Sequence, residues 1–571
     1  MVIKFKSLPV TRDSRILTTL VFLFFFSMML TSSGGPHDAW DGKGYFLLTE
    51  NLVKHHSLIL YPDLIPPFGN GHNFSVRDYF NWLHLLRNNW KPLPADAKLE
   101  PTASLGSSLF AMVGVPSYII ADNIFHYSTT KFTYYIQNPL ILSLICTVVF
   151  VFGSELYRSK KIGFILSVIA GVGSWSWALV GTYLDLPLTA LIVISCLYFL
   201  FTASRDTLPV SRNGQVETSQ KGKLVKFSAG LAGLFLGLQS FTNPYSIVVV
   251  PGIAFIGIYI FRKDKRKFVQ FLGAFVLLVI LQGYINVIRF GSITEFGFGS
   301  VQTGTYGWFH STEGLLGLLA SPGSGLLVFF PLIALLPAGV YFLWKQNKIF
   351  CIAFLYVFLS IWILFGSASG YGWTGGGFWG PRYLITTVPA LVLLVGSILS
   401  GFSSKYKMVS TDRGGIVSKD SFDVPLRIKI SQHVRTTLKV LFIILAFFGF
   451  VTNILGVLVW YPIGFTYGLT YLHVNQLPDK AHQYRYFSWY PQYSPVLLHW
   501  KVLTTDWWKS IRSAYGWTPC IPDNFLYCNF GIFPLIAALI ITASLGLVTA
   551  VIIFTKKSML PKIRWVRSQS Q

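Results

Sequence analysis

The sequence predicts an all-α polytopic membrane protein, and three observations carry that expectation. Apolar residues fill 53% of the 571 positions and charged residues only 12%, against roughly a quarter charged in soluble domains. Apolar runs close to the ~20 residues of a bilayer-crossing helix recur along the chain. Most basic residues fall in short stretches between alternate runs. Together these exclude a disordered chain, a small disulfide scaffold and a single soluble domain.

Taken in order, the runs lie near 16–33, 134–154, 161–180, 183–202, 226–242, 245–261, 268–288, 325–344, 349–366, 382–400, 439–461 and 530–555. Seven basic clusters separate them: Lys4 to Arg15, Arg158 to Lys161, Arg205 to Lys226, Arg262 to Lys267, Lys345 to Lys348, Lys405 to Lys439 and Lys556 to Arg567. They hold 32 of the 46 basic residues. With about twelve spans all seven fall on the cytoplasmic side, as the positive-inside rule requires, and both termini are cytoplasmic. The net charge of +24 is thereby accounted for, and no nucleic-acid partner is assigned.

Residues 103–121 set the count. Read as a span, they would put every later basic cluster outside. Pro101 precedes the stretch, and Gly106, Gly114 and Pro116 interrupt it, so it reads as a re-entrant or interfacial helix on the outer side. The first run reads as a retained anchor, because no A-x-A cleavage site follows it.

The large outer segments are then 34–133, 289–324 and 462–529, with a short Gly- and Trp-rich outer loop at 367–381. The chain divides into a transmembrane module at 1–400, a basic cytoplasmic loop at 401–438, and a two-helix region at 439–571 that carries the last outer segment. That segment is rich in Tyr and Trp, and reads either as an acceptor groove or as a packed lid. Cys146, Cys196 and Cys351 fall in spans and read as small packing residues. Cys520 and Cys528 are close together on the oxidising side, where a disulfide between them is expected.

The span interiors carry no Asp, Glu, Lys or Arg, which counts against an ion-coupled carrier. Acidic residues gather instead in outer segments and at outer span ends. After the first run comes Pro36-His37-Asp38-Ala39-Trp40-Asp41-Gly42-Lys43-Gly44-Tyr45. A carboxylate here, just above the lipid, can take a proton from an acceptor hydroxyl or amine. Equally, Asp38 can cap a helix and Asp41 can serve a turn before Gly42. Tyr45, Leu48 and Leu52 then mark an amphipathic helix, with Glu50 and Lys54 expected toward water.

Arg289 and Arg382 each lie at an outer span end with Gly two residues away. Both suit a phosphate, since Arg offers a fixed fork of donors, and both equally suit snorkelling. His310 is a third polar candidate. Residues 366–380, GSASGYGWTGGGFWG, lack a following Gly-Lys-Ser/Thr and are no nucleotide loop. Within them Trp373 and Trp379 read as interfacial-belt or sugar-stacking residues. No His/Cys/Asp grouping has metal-ligand spacing; a divalent ion on Asp38, Asp41 and Glu50 is admitted but not required.

Five motifs resemble the GT-C superfamily of integral membrane glycosyltransferases, which includes protein O-mannosyltransferases and the aminoarabinose transferases of lipid A. They are Asp41-Gly42-Lys43-Gly44-Tyr45; Pro101-Thr102-Ala103-Ser104-Leu105-Gly106; Arg289-Phe290-Gly291-Ser292 with Gly297-Phe298-Gly299; Ser321-Pro322-Gly323-Ser324-Gly325; and Trp379-Gly380-Pro381-Arg382-Tyr383-Leu384. They run in family order from about 38 to 400, nearest to a prokaryotic branch. The resemblance implies an inverting transfer from a polyprenyl-phosphate sugar at the outer face of the cell membrane. It maps the catalytic Asp to Asp41, with Asp38 second, and a further acidic position to Asp185 in Asp185-Leu186-Pro187-Leu188. Tyr45, Glu50, Asp185, Arg289, Arg382 and His310 are the candidate substrate-binding residues. The paired Asp-Glu of the mannosyltransferases is absent, so the acceptor stays open among protein, lipid and glycan. The alternatives are a lipid or solute carrier without catalysis, or a degenerate assembly subunit.

Overall fold

The computed structural model describes residues 12–34, 40–60, 102–103, 107–125, 129–205, 227–294, 312–368, 372–376, 378–400, 432–470, 483–505 and 522–555. The chain is an all-α polytopic membrane protein. Among the described residues nine helical stretches are long and apolar enough to cross a bilayer. The helices are α1 (Arg12–Ser32), α2 (Trp40–His55), α3 (Ser108–Phe125), α4 (Thr129–Leu156), α5 (Lys160–Val172), α6 (Leu186–Arg205), α7 (Ser228–Leu238), α8 (Val250–Phe261), α9 (Lys265–Phe290) and α10 (Glu313–Ala320). After them come α11 (Leu326–Phe329), α12 (Leu336–Gln346), α13 (Lys348–Gly366), α14 (Val388–Ser400), α15 (Gln432–Leu458), α16 (Tyr461–Thr470), α17 (Gln483–Trp489), α18 (Pro495–Thr504), α19 (Phe525–Phe530) and α20 (Ile532–Thr555). One short antiparallel ladder pairs β1 (Ile59–Leu60) with β2 (Thr102–Ala103).

Three of the twelve expected runs are broken, each for a local reason. The run at 161–180 stops after Val172, where the Ser174 and Ser176 hydroxyls both donate to the Ala170 carbonyl at 2.8 Å and satisfy the helix end. The run at 226–242 tightens into a 3-10 turn at Gln239–Phe241. Asn243 then caps the next turn by accepting from the Tyr245 N–H at 3.0 Å. The run at 325–344 breaks at Phe330–Pro331, since proline has no N–H to continue α11.

The bundle has two chemically distinct ends. At one, Arg205 pairs with Glu155 at 2.5 Å, Lys267 donates to the Ala203 carbonyl at 3.0 Å, and Gln346 donates to Ser400 at 2.8 Å. These contacts join the span ends that adjoin basic clusters. At the opposite end Trp177 donates to the Ser32 hydroxyl at 2.9 Å, Asn524 to the Thr31 carbonyl at 2.5 Å, and Ser107 to the Phe241 carbonyl at 2.7 Å. Helices α6 and α14 form the centre, whereas the faces of α9, α15 and α20 are largely exposed apolar surface, as lipid-facing helices require.

Helix α3 stays at the end opposite the basic clusters. The Gln137 amide, near the start of α4, donates to the Phe110 carbonyl at 2.9 Å. Three turns along α3 from Ser107, Tyr118 donates to Glu50 of α2 at 3.0 Å. The helix therefore packs against both α2 and α4.

Candidate functional site

Helix α2 is the first piece of the site. Trp40 and Asp41 open it, and a carboxylate in the first turn is favoured by the helix dipole. The side chain of Asp41 lies outside the described residues, as do Asp38 and His310 entirely. One turn on, Tyr45 is buried with its ring 5.3 Å from Phe110 of α3. Tyr45 is thus a packing residue between α2 and α3. Thr49 donates to the carbonyls of Tyr45 and Ala111 at 2.9 and 3.2 Å, and lies 3.2 Å from the Tyr183 hydroxyl.

Glu50 corrects the sequence expectation. Its place on α2 points it toward water, yet it is only 9% exposed. Its Oε1 accepts from Lys54 at 2.7 Å and from Tyr118 at 3.0 Å. Lys54 is the member that reaches solvent, with its side chain 45% exposed. The reason is that α3 covers this face of α2, and a buried carboxylate needs partners. Glu50 therefore holds α2 onto α3.

Tyr183 connects α2 to the second piece. Two residues after it comes Asp185, whose carbonyl accepts the Thr189 N–H at 3.0 Å and so opens α6. Asp185 is 2% exposed, and the α6 N-terminus favours its negative charge. The third piece is the 3-10 turn Arg382–Thr387, which packs against α6. The Arg382 guanidinium lies 4.1 Å from the Phe378 ring centroid and 4.9 Å from that of Tyr383, and donates to the Tyr383 hydroxyl at 3.3 Å. Tyr383 is itself stacked on Phe365 at 4.1 Å. Aromatic faces thus fix the fork of Arg382.

Gly375, with φ +75°, is required at this point. A side chain there would meet Arg382 Cγ at 2.8 Å, and only glycine adopts this backbone without strain. The fourth piece is Arg289, buried on the last turn of α9 with its guanidinium 4.7 Å from the Phe290 ring centroid. The burial of Arg289 distinguishes it from a side chain that merely snorkels.

A lid closes over this end. Helices α16, α17 and α18 share a small core of Val459, Ile463, Tyr467, Phe487, Leu498 and Val502, so the aromatic-rich segment is a packed lid in its described parts. His499 joins it to the bundle: its ring lies 4.5 Å from that of Trp379, and its Nδ1 is 3.1 Å from the Leu455 carbonyl. Trp379 donates to Asn453 at 3.1 Å, and Trp373 is fully buried near Trp489. Neither Trp373 nor Trp379 belongs to a lipid-facing belt or presents an open face to a sugar, because the lid covers both.

No protein-family model matches the chain, and no curated protein does. The chain is similar to the crystal structure of ArnT from Cupriavidus metallidurans bound to undecaprenyl phosphate, at 10% identity and a TM-score of 0.42, over 95% of this chain and 77% of that one.

The fold brings α2, Asp185 and Arg382 together through contacts of Thr49 with Tyr183 and of α6 with the Arg382 turn. Arg289 stands at the same end because α9 begins at the basic end, where Lys267 bonds the Ala203 carbonyl. Among the described residues no three His, Cys, Asp or Glu side chains converge as metal ligands. Cys528 is disulfide-bonded, while Cys146, Cys196 and Cys351 are free and buried; Cys520 lies outside the described residues. Sequence reasoning missed Tyr118, Tyr183 and Gln239. Of these Gln239 left a signal, as the one amide side chain in the apolar run 226–242.

Proposed function

We propose that the chain is a glycosyltransferase that moves a sugar from a polyprenyl-phosphate donor to an acceptor at the end of the bundle away from the basic loops. One observation carries the reading. The charged groups Asp185 and Arg289, both under 10% exposed, gather at that end with Arg382 and with the helix that bears Asp41. Removing such charges from water costs several kcal/mol each, a cost that an anionic substrate at this end would help to offset.

In the proposed reaction the acceptor oxygen or nitrogen attacks the anomeric carbon on the face opposite the phosphate. The new bond forms as the bond between sugar and phosphate breaks, and its electron pair leaves with the polyprenyl phosphate. Asp41 takes the acceptor proton. Arg382 and Arg289 offset the charge that develops on the leaving phosphate. A single displacement inverts the anomeric centre. Asp38, three residues before Asp41 in the sequence, is the secondary carboxylate, and no metal is needed for any of these steps.

The test is Asp41→Asn in the full chain. Transfer of a labelled sugar from polyprenyl phosphate should fall by about 10²–10⁴-fold, with donor binding and melting temperature unchanged. Full activity of this variant removes the proposed base.

A further inference from the structure

Helix α9 is amphipathic in the inverted sense of a lipid-facing span. Its exposed face is apolar, with Val276, Leu277, Ile280, Tyr284 and Ile288. Its buried face carries Gln282, Asn286 and Arg289, one turn apart in succession. Gln282 donates to Asn286 at 2.7 Å, and Asn286 donates to the Ile293 carbonyl at 3.0 Å. Gln282 Oε1 has no hydrogen-bond partner among the described residues, although the residue is only 6% exposed.

Helix α7 runs alongside α9 in the same direction, so that Gly233 meets Phe271 and Gly237 meets Phe275 and Leu278. The 3-10 turn Gln239–Phe241 follows directly and packs against both α9 and α6, which brings it level with Gln282. Gln239 is 1% exposed, and neither its Oε1 nor its Nε2 has a hydrogen-bond partner among the described residues. Ser107 bonds the Phe241 carbonyl at 2.7 Å. Its neighbour Ser108 is likewise buried with an unpartnered hydroxyl.

Such unsatisfied groups are rare in a folded interior and costly. Their chemistry restricts what would satisfy them. Gln239 Oε1 and Gln282 Oε1 accept, whereas Gln239 Nε2 donates. A phosphate, which accepts only, matches just the donor. A group that both donates and accepts matches all three atoms; water is such a group and so is a sugar hydroxyl, and of the two only the sugar makes these amides tell one glycosylated carrier from another.

We propose that Gln239 and Gln282 bind the hydroxyls of the sugar carried by the polyprenyl-phosphate donor, two turns along α9 from Arg289. The proposal rests on the function given above and adds the two residues that read the sugar. Arg289 holds the phosphate, and the two amides discriminate among sugars by the placement of their hydroxyls.

The experiment uses the full chain in lipid nanodiscs. Affinities are measured for bare polyprenyl phosphate and for the same carrier bearing glucose, mannose, arabinose or 4-aminoarabinose. Wild type should bind at least one glycosylated carrier about tenfold more tightly than the bare one. Gln239→Leu and Gln282→Leu should each cut that preference by about three- to tenfold, with bare-carrier affinity unchanged. Gln239→Glu keeps the shape, replaces the donor by an acceptor, and should shift which sugar is preferred. An unchanged preference in all three variants overturns the proposal, and so does a wild type that binds the carrier with no preference for any sugar. A wild type that fails to bind even the bare carrier overturns the proposed function as well.

Discussion

Tyr118 donates its phenolic hydrogen to Glu50 Oε1 at 3.0 Å, the oxygen that Lys54 also reaches at 2.7 Å. The Tyr118 bond fastens α3 to α2 beside the bond from Thr49 to the Ala111 carbonyl, while Lys54 holds the Glu50 carboxylate from within α2. A hydrogen bond to a charged group is worth about 1.5–3 kcal/mol. Tyr118→Phe should lower the melting temperature of the solubilised chain, and Glu50→Gln should do the same. Because both act through one contact, the double variant should be less than additive. Fully additive losses would mean that the two side chains do not act together.

Gly114 is where α3 approaches its neighbours. A Cβ there would come within 2.7 Å of Gln137 Oε1 and 3.1 Å of Thr49 Oγ1, and would overlap the Tyr183 hydroxyl. Three elements would have to part to admit one methyl group. Gly114→Ala should therefore destabilise by about 1–3 kcal/mol and reduce transfer, since Tyr183 and Asp185 lie on the same loop. A melting temperature equal to wild type would contradict this packing.

His499 predicts how the lid responds to acid. Burial lowers its imidazole from the ordinary 6.5 to about 4, so the ring is neutral in the folded chain. Above pH 6.5 it is neutral in both states and costs nothing. As pH falls toward about 4, the unfolded chain takes up a proton that the folded chain refuses. Stability then drops by up to about 1.4 kcal/mol per pH unit. Below the folded value the contribution is flat. Melting curves of wild type and His499→Gln should diverge in slope between pH 6.5 and 4. Parallel curves across that window would show that the ring titrates normally.

The division between sequence and tertiary structure follows from range. Apolar runs and basic clusters are local properties, so the sequence alone determined the all-α membrane class, the alternation of the two ends, and the candidacy of Asp41, Asp185, Arg289 and Arg382. Local breakers such as Pro331 and the Gly173–Ser174–Ser176 stretch are also in the sequence, but a hydropathy run does not register them, and three expected spans are interrupted. What surrounds a side chain depends on residues far away in the chain. Glu50 looked solvent-facing from its own helix until Tyr118, 68 positions later, covered it. Trp373 and Trp379 looked interfacial until the lid, more than a hundred residues on, enclosed them. Gln239 became a candidate ligand group only when α7 and α9 were packed side by side with their polar residues level. Burial is a sum over long-range contacts, and only the folded chain performs that sum.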